Sequence, residues 1–172
     1  MKSGLELSNL QISCVRKAWK LARKGQLEPA PVIFQRVFFL SPETQRIFAE
    51  RFDKRGDNKQ NHFKLFVELM DKVIDNLECP KEMTEVLQEV GKAHYLHKIE
   101  GFRPDMWNFF ARAIVDCSPE WGLKNHKNSE SQIAWNIIAQ FLVDKLKDGY
   151  LQESKRAKKS VISKQRSSHD AE

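Results

Sequence analysis

The sequence predicts an all-α protein of six or seven helices, and three observations predict it. Apolar residues recur at steps of three and four along most of the chain, and no stretch reads convincingly as a strand. Glycine and proline are scarce, at 7 and 6 of 172 residues, and there is no internal repeat. A chain of this length with 41% apolar residues matches one domain with a sizeable core.

Residues 1–7 show no strong period and read as a flexible arm. Ser8 then offers an N-cap to a helix with apolar positions Leu10, Ile12, Val15, Trp19 and Leu21, which Gly25 ends. A second helix starts near Glu28, tolerates Pro29 in its first turn, and carries Val32, Ile33, Val37, Phe38 and Leu40. Ser41 and Pro42 open a short third helix as cap and first residue, with Glu43 at its positive end. Asp53–Gln60 is polar, contains Gly56 and reads as a loop. The clearest pattern runs from His62 to Leu77: His62, Phe66, Leu69, Val73 and Leu77 follow at steps of four and three, and Leu65, Met70 and Ile74 widen the stripe. Pro80 breaks the chain, and the next helix sets Met83, Val86, Leu87, Val90 and His94 on one face. Another from about Pro104 carries Met106, Trp107, Phe110, Ala113 and Ile114. After a loop around Ser118–Asn128, the last helix presents Ile133, Trp135, Ile137, Ile138, Phe141, Leu142, Val143 and Leu146, and Asp148-Gly149 reads as its end.

Charge separates the last part of the chain from the rest. Six basic residues in 152–172 (Lys155, Arg156, Lys158, Lys159, Lys164 and Arg166) stand against Glu153, Asp170 and Glu172, and carry half of the net charge of +6. The remainder is mildly basic with mixed signs, an ordinary solvated surface, so no nucleic-acid partner is expected. The tail has no apolar period, is expected to be disordered, and offers its cations either to solvent alone or to a weak anionic partner. No apolar run approaches the roughly 20 residues of a membrane span, and Met1–Gln11 lacks the apolar stretch of a secretory signal. Cys14, Cys79 and Cys117, odd in number and widely spaced, form neither a disulfide framework nor a metal pattern; a reducing cytoplasmic setting is expected.

Metal-protease, P-loop and dinucleotide-binding motifs are absent, as is a glycine-rich phosphate cradle. What remains is a pair of histidines on the apolar faces of separate helices: His62 opens one stripe and His94 closes another. Each alone has a bland alternative, a buried imidazole hydrogen-bonded to a carbonyl. The sharper reading is an imidazole ligand on each side of a flat apolar cofactor, since imidazole suits iron.

The neighbouring residues resemble the globin family in five places, in order. Trp19 matches a tryptophan usual in the first globin helix. Ser41-Pro42-Glu43-Thr44-Gln45-Arg46-Ile47-Phe48 is similar to the third globin helix, where a proline precedes by six residues the phenylalanine that stacks on haem. His62 opens a stretch ending Val73-Ile74-Asp75-Asn76-Leu77, like the helix that begins with the distal histidine. Val90-Gly91-Lys92-Ala93-His94 resembles the proximal segment of cytoglobins, as does the 32-residue step between the histidines. Gly101-Phe102-Arg103-Pro104-Asp105-Met106-Trp107 resembles invertebrate globins, nematode ones in particular. The likeness spans roughly Ser8 to Leu151, which sets the expected haem domain at 8–151.

That resemblance implies a globin fold of six to eight helices around one non-covalent haem b, with His94 bound to iron, His62 facing it, Phe48 stacking, and Phe34, Phe66 and Val90 lining the cavity. The lack of Cys-x-x-Cys-His argues against covalent attachment. It further implies reversible binding of O2 or another diatomic for transport, supply or sensing. Redox chemistry is the alternative (electron transfer, or nitric oxide dioxygenation as an enzymatic side activity), followed by a haem-less interaction module. Three departures from the common pattern make the expected distal pocket crowded and apolar. Leu65 stands where many globins carry a basic residue, Phe66 where valine is common, and Phe34 is bulky. Between His94 and Pro104 the chain runs two residues longer than in cytoglobins, so His97 and Lys98 read as surface residues.

Overall fold

Seven α-helices carry almost all of the regular structure, and no strand occurs among the described residues. The computed structural model describes residues 5–26, 28–54, 58–122 and 129–169. In chain order the helices are α1 Asn9–Lys24, α2 Pro29–Leu40, α3 Pro42–Ala49, α4 Lys59–Asp75, α5 Pro80–Leu96, α6 Trp107–Cys117 and α7 Ser129–His169. A π-helical turn over Glu50–Lys54 follows α3, and 3-10 turns over Pro104–Met106 and Ser118–Trp121 flank α6.

Local chemistry sets the helix starts. The Ser8 hydroxyl accepts from the Gln11 amide at 3.2 Å, while the Ser8 amide donates to the Gln11 side chain at 3.0 Å, a reciprocal capping box. The Ser41 hydroxyl accepts from the Thr44 amide at 3.2 Å with Pro42 at the first helical position. Asn58 caps α4 by accepting from the Asn61 amide at 2.9 Å. α5 opens on Pro80, where a missing amide proton costs nothing.

The core lies where α7 packs across α1, α5 and α6, around the fully buried Trp135, Ile138, Leu142 and Val143 of α7 and Leu87 and Ile114 of its neighbours. Two glycines let α5 and α7 meet backbone to backbone. A Cβ on Gly91 would fall 2.0 Å from the carbonyl oxygen of Leu146, and one on Gly149 would fall 1.9 Å from that of Gln88. Neither obstacle is a flexible side chain, so only glycine permits this crossing.

The structure departs from the sequence reading in four places. Gly149 does not end the last helix: it is the contact with α5, and α7 continues to His169 with no glycine or proline after it. The expected disordered tail is therefore helical from 152 to 169, built from good helix formers such as Lys155, Arg156, Ala157, Lys158 and Lys159, and residues 170–172 lie outside the described residues. Leu5, within the expected loose arm, is buried in the core cluster; residues 1–4 lie outside the described residues. The expected loop at Asp53–Gln60 is narrower, because the π turn runs to Lys54 and α4 begins at Lys59; residues 55–57 lie outside the described residues. The loop expected over Ser118–Asn128 begins as a 3-10 turn that buries Trp121, and 123–128 lie outside the described residues.

Candidate functional site

α2, α3, α4, α5 and α6 converge on a cleft lined almost wholly by aromatic rings. Phe34 of α2 is the hub, with ring centroids 5.3 Å from Phe48, 5.6 Å from His62, 5.0 Å from Phe63, 5.6 Å from Phe66 and 6.1 Å from Phe110. Phe48 of α3 lies 5.6 Å from His62. The π turn widens the chain's path after α3 and sets Phe52 5.1 Å from His62 and 4.4 Å from Phe48. On the other side of the cleft, Trp107 and Phe102 stand 5.2 and 5.7 Å from His94. Phe34, Phe48, Phe102 and Phe110 are only partly buried, as are both histidines, so apolar area remains open inside the fold.

The two histidines face each other across this cleft with centroids 6.4 Å apart. His94 lies in the last turn of α5, and its Nδ1–H donates to the carbonyl of Val90 one turn earlier, at 2.8 Å. That bond fixes the tautomer and leaves Nε2 unprotonated with its lone pair free, the arrangement that metal-bound histidines adopt. His62 sits in the first turn of α4. Loss of water around it pushes its pKa down to about 4, and nearby His94 adds in the same direction. His94 is also lowered, first by burial and then by His97, against the opposing Val90 hydrogen bond. Both imidazoles are therefore neutral at pH 7 and able to donate a nitrogen lone pair.

The spacing suits one metal ion between two rings. Taking a metal–nitrogen bond of about 2.0–2.1 Å and a ring radius of about 1.1–1.2 Å, two imidazoles holding one ion between them would keep their centroids roughly 6.2–6.6 Å apart. Two neutral nitrogens leave the equatorial positions to other donors. Among the described residues no cluster of three or more His, Cys, Asp or Glu side chains could hold a metal by itself. A flat apolar cofactor that brings its own equatorial donors fits this donor set and these walls.

Of the residues expected from sequence, Phe34, Phe48, His62 and His94 meet through their rings, Phe66 joins through Phe34, and Val90 contributes its carbonyl to His94. Leu65 is mostly exposed and turned out of the cleft. His97 and Lys98 lie exposed where α5 ends, Lys98 in the left-handed conformation at φ 46°. Sequence reasoning did not pick out Phe52 or Phe63 as part of the site. Phe52 borders a polar stretch, whereas Phe63, Phe66, Met70 and Ile74 follow at steps of three, four and four on the buried face of α4, a spacing that could have found Phe63; the density of eleven phenylalanines was a second signal. None of the three cysteines forms a disulfide, and the Cys117 thiol is raised first by burial and then by Asp116.

Comparison with known proteins agrees with this architecture. Residues 32–146 match the family model described as Globin. Three relatives from Caenorhabditis elegans are globin-like protein 26 (27% identical over 147 residues), globin-like protein 9 (26% over 161) and globin-related protein glb-13 (23% over 150). The matches cover 84, 87 and 84% of this chain but only 76, 64 and 52% of those proteins. A hexacoordinated heme protein from an anhydrobiotic tardigrade shares the fold with a TM-score of 0.70 and 14% identity, over 85% of this chain and 96% of its own. With the family model spanning about two thirds of its length, the chain belongs to the globin family.

Proposed function

We propose that this globin binds one haem b non-covalently between His94 and His62, and that both imidazoles would hold the iron when no external ligand is present. The observation that carries this reading is the 6.4 Å separation of two neutral imidazoles, with His94 already oriented by Val90. In this reading, Phe48 stacks on the cofactor while Phe34, Phe66 and Val90 wall the cleft and exclude water. Bound there, haem supplies an iron that takes O2 or another diatomic ligand reversibly. His94 holds its side of the cofactor through Nε2. On the opposite wall His62 would be the hydrogen-bond donor available to an external ligand, among otherwise apolar described neighbours. Residues 8–151 form the haem domain, and the three free cysteines are in keeping with a cytoplasmic protein. Among the described residues no helix is long and apolar enough to cross a membrane.

A redox role is the second reading, favoured by the same histidine spacing. Two protein nitrogens holding the iron in both oxidation states would limit the rearrangement that accompanies electron transfer. Optical and electron-spin spectra of the ferric and deoxy ferrous protein test the ligation. Low-spin signals should turn high-spin in His62→Leu; high-spin signals already present without the substitution refute axial binding by His62. Slow autoxidation would then favour gas carriage or sensing, and rapid reduction by a cellular reductant the redox role.

A further inference from the structure

The far end of α7 has no evident role in the cleft. Its last buried side chain among the described residues is Glu153, and from Lys155 to Ser163 every side chain but that of Ala157 is exposed. Glu153 is also the one acidic residue from 151 to 169; it points back toward α5, accepting hydrogen bonds from the Arg156 guanidinium at 2.6–3.1 Å. Nine residues along a helix is half a turn out of phase, so Ile162 points directly away from Glu153. On that outward side Leu151, Lys155, Lys158 and Ile162 form a row at steps of four, three and four, flanked by Lys159, with Val161 about 100° round the helix from Ile162 at the edge of this side. Leu151, Val161 and Ile162 are 47, 56 and 52% exposed, and no acidic side chain pairs with Lys155, Lys158 or Lys159 among the described residues.

We propose that this outward face of α7, from Leu151 to Ile162, docks on an anionic lipid surface. The charge is sorted: one carboxylate turned inward and neutralised, three lysines outward. Leu151 on one side and Val161 and Ile162 on the other bracket those lysines, and nothing within the chain's own packing accounts for Val161 and Ile162. A bilayer interface takes both at once, because lysine stems lie along apolar surface while their ammonium groups reach phosphate and carboxylate headgroups. A nucleic acid would use the lysines and leave the aliphatic side chains without a partner. A helical stretch with no tertiary cover is marginal in water, so a surface that holds it also stabilises it.

The test is flotation of the haem-loaded full chain with vesicles of phosphatidylcholine, with and without phosphatidylserine. Binding is expected only with phosphatidylserine and should fall as salt is raised. Replacing Lys155, Lys158 and Lys159 by glutamine keeps helix propensity and should weaken binding on the order of a hundredfold. Val161→Gln with Ile162→Gln should weaken it about tenfold. All variants should keep the parent haem spectrum, since none of these side chains reaches the cleft. Equal binding to both vesicle types overturns the proposal, as does full binding by the lysine variant. So does an unchanged aliphatic variant whose chain is stripped from vesicles by a nucleic-acid duplex, which would identify an electrostatic surface for that polymer.

Discussion

Two aromatic clusters stand in this fold, and they differ in whether they are finished. Trp19, Trp121 and Trp135 meet where α1, α7 and the 3-10 turn after α6 come together, with centroids 5.0–6.4 Å apart and exposures of 4, 7 and 0%. The Trp19 indole N–H donates to Asp71 at 2.6 Å, which in turn faces Arg23 at 3.2 Å. That cluster is closed, and its surface was consumed in folding. The phenylalanine and histidine cluster has similar spacings, yet Phe34, Phe48, Phe102, Phe110, His62 and His94 all remain partly accessible. Rings that pack this closely and still keep accessible area mark a surface that a flat apolar ligand can use. The first cluster should govern stability with or without cofactor, and the second should govern cofactor retention.

The sharpest way to break that distinction is His94→Ala. It removes the ring that Val90 orients and, with it, the protein's bond to iron on that side. Haem retention should fall by at least two orders of magnitude, while the folded, haem-free helix content is kept. Small imidazole should restore part of the absorbance by occupying the space. Titration with haem followed by optical spectroscopy measures both, and an unchanged spectrum would transfer the ligand role to His97.

Next in size is a matched pair of truncations. Trp135→Ala empties a fully buried indole site and should cost about 3–5 kcal/mol of stability. The indole N–H of Trp135 has no hydrogen-bond partner among the described residues, so its loss removes an unsatisfied donor and places the cost toward the lower end. Phe34→Ala acts on a ring that is only partly buried, and should cost the haem-free protein less while speeding haem loss about tenfold or more. Denaturant unfolding with and without haem, together with haem transfer to an acceptor protein, would separate the two. Equal effects from both variants would mean the clusters are one core.

Much of this contrast was legible in the sequence, because helical spacing reports burial. Val15, Val73, Leu87, Ile114 and Ile138 all fall on predicted stripes and are completely buried. His62 and His94 could be picked out because they are polar residues at positions where a stripe demands an apolar one. Two kinds of feature were not legible. Gly149 follows an aspartate at the end of an apolar run, as a helix C-cap does, but its role is to admit the backbone of α5, a contact between residues about sixty apart. Phe52 is off-stripe because a π turn, rather than a regular helical face, aims it at His62, and Phe63 lies one position past the His62 that opens the predicted stripe, on the buried face of α4, where it meets Phe34 and Phe48. The course of α7 past 151 was missed for a third reason: helix propensity alone extends it, and an apolar period is the wrong detector for an exposed helix.

Acid should act on the open cluster and spare the closed one. His62 has its pKa pushed down to about 4 by desolvation, with His94 as the second cause, against an ordinary value of 6.5. The unfolded chain therefore binds more protons than the folded one between those limits, and stability rises with pH across that window. In the haem-free protein, acidification from pH 6.5 to pH 4 should remove about 3 kcal/mol through His62, with a further loss in the same direction through His94. Above pH 6.5 both rings are neutral in either state and the contribution is constant. With haem bound, the window should move lower, because a nitrogen that donates to iron resists protonation. His62→Leu should flatten the dependence in the haem-free chain, and Trp135→Ala should shift the whole curve down without changing its slope. Urea midpoints at stepped pH would measure this. A slope that survives His62→Leu would assign the acid response to carboxylate pairs such as Glu78 with Arg16, which lie far from the cleft.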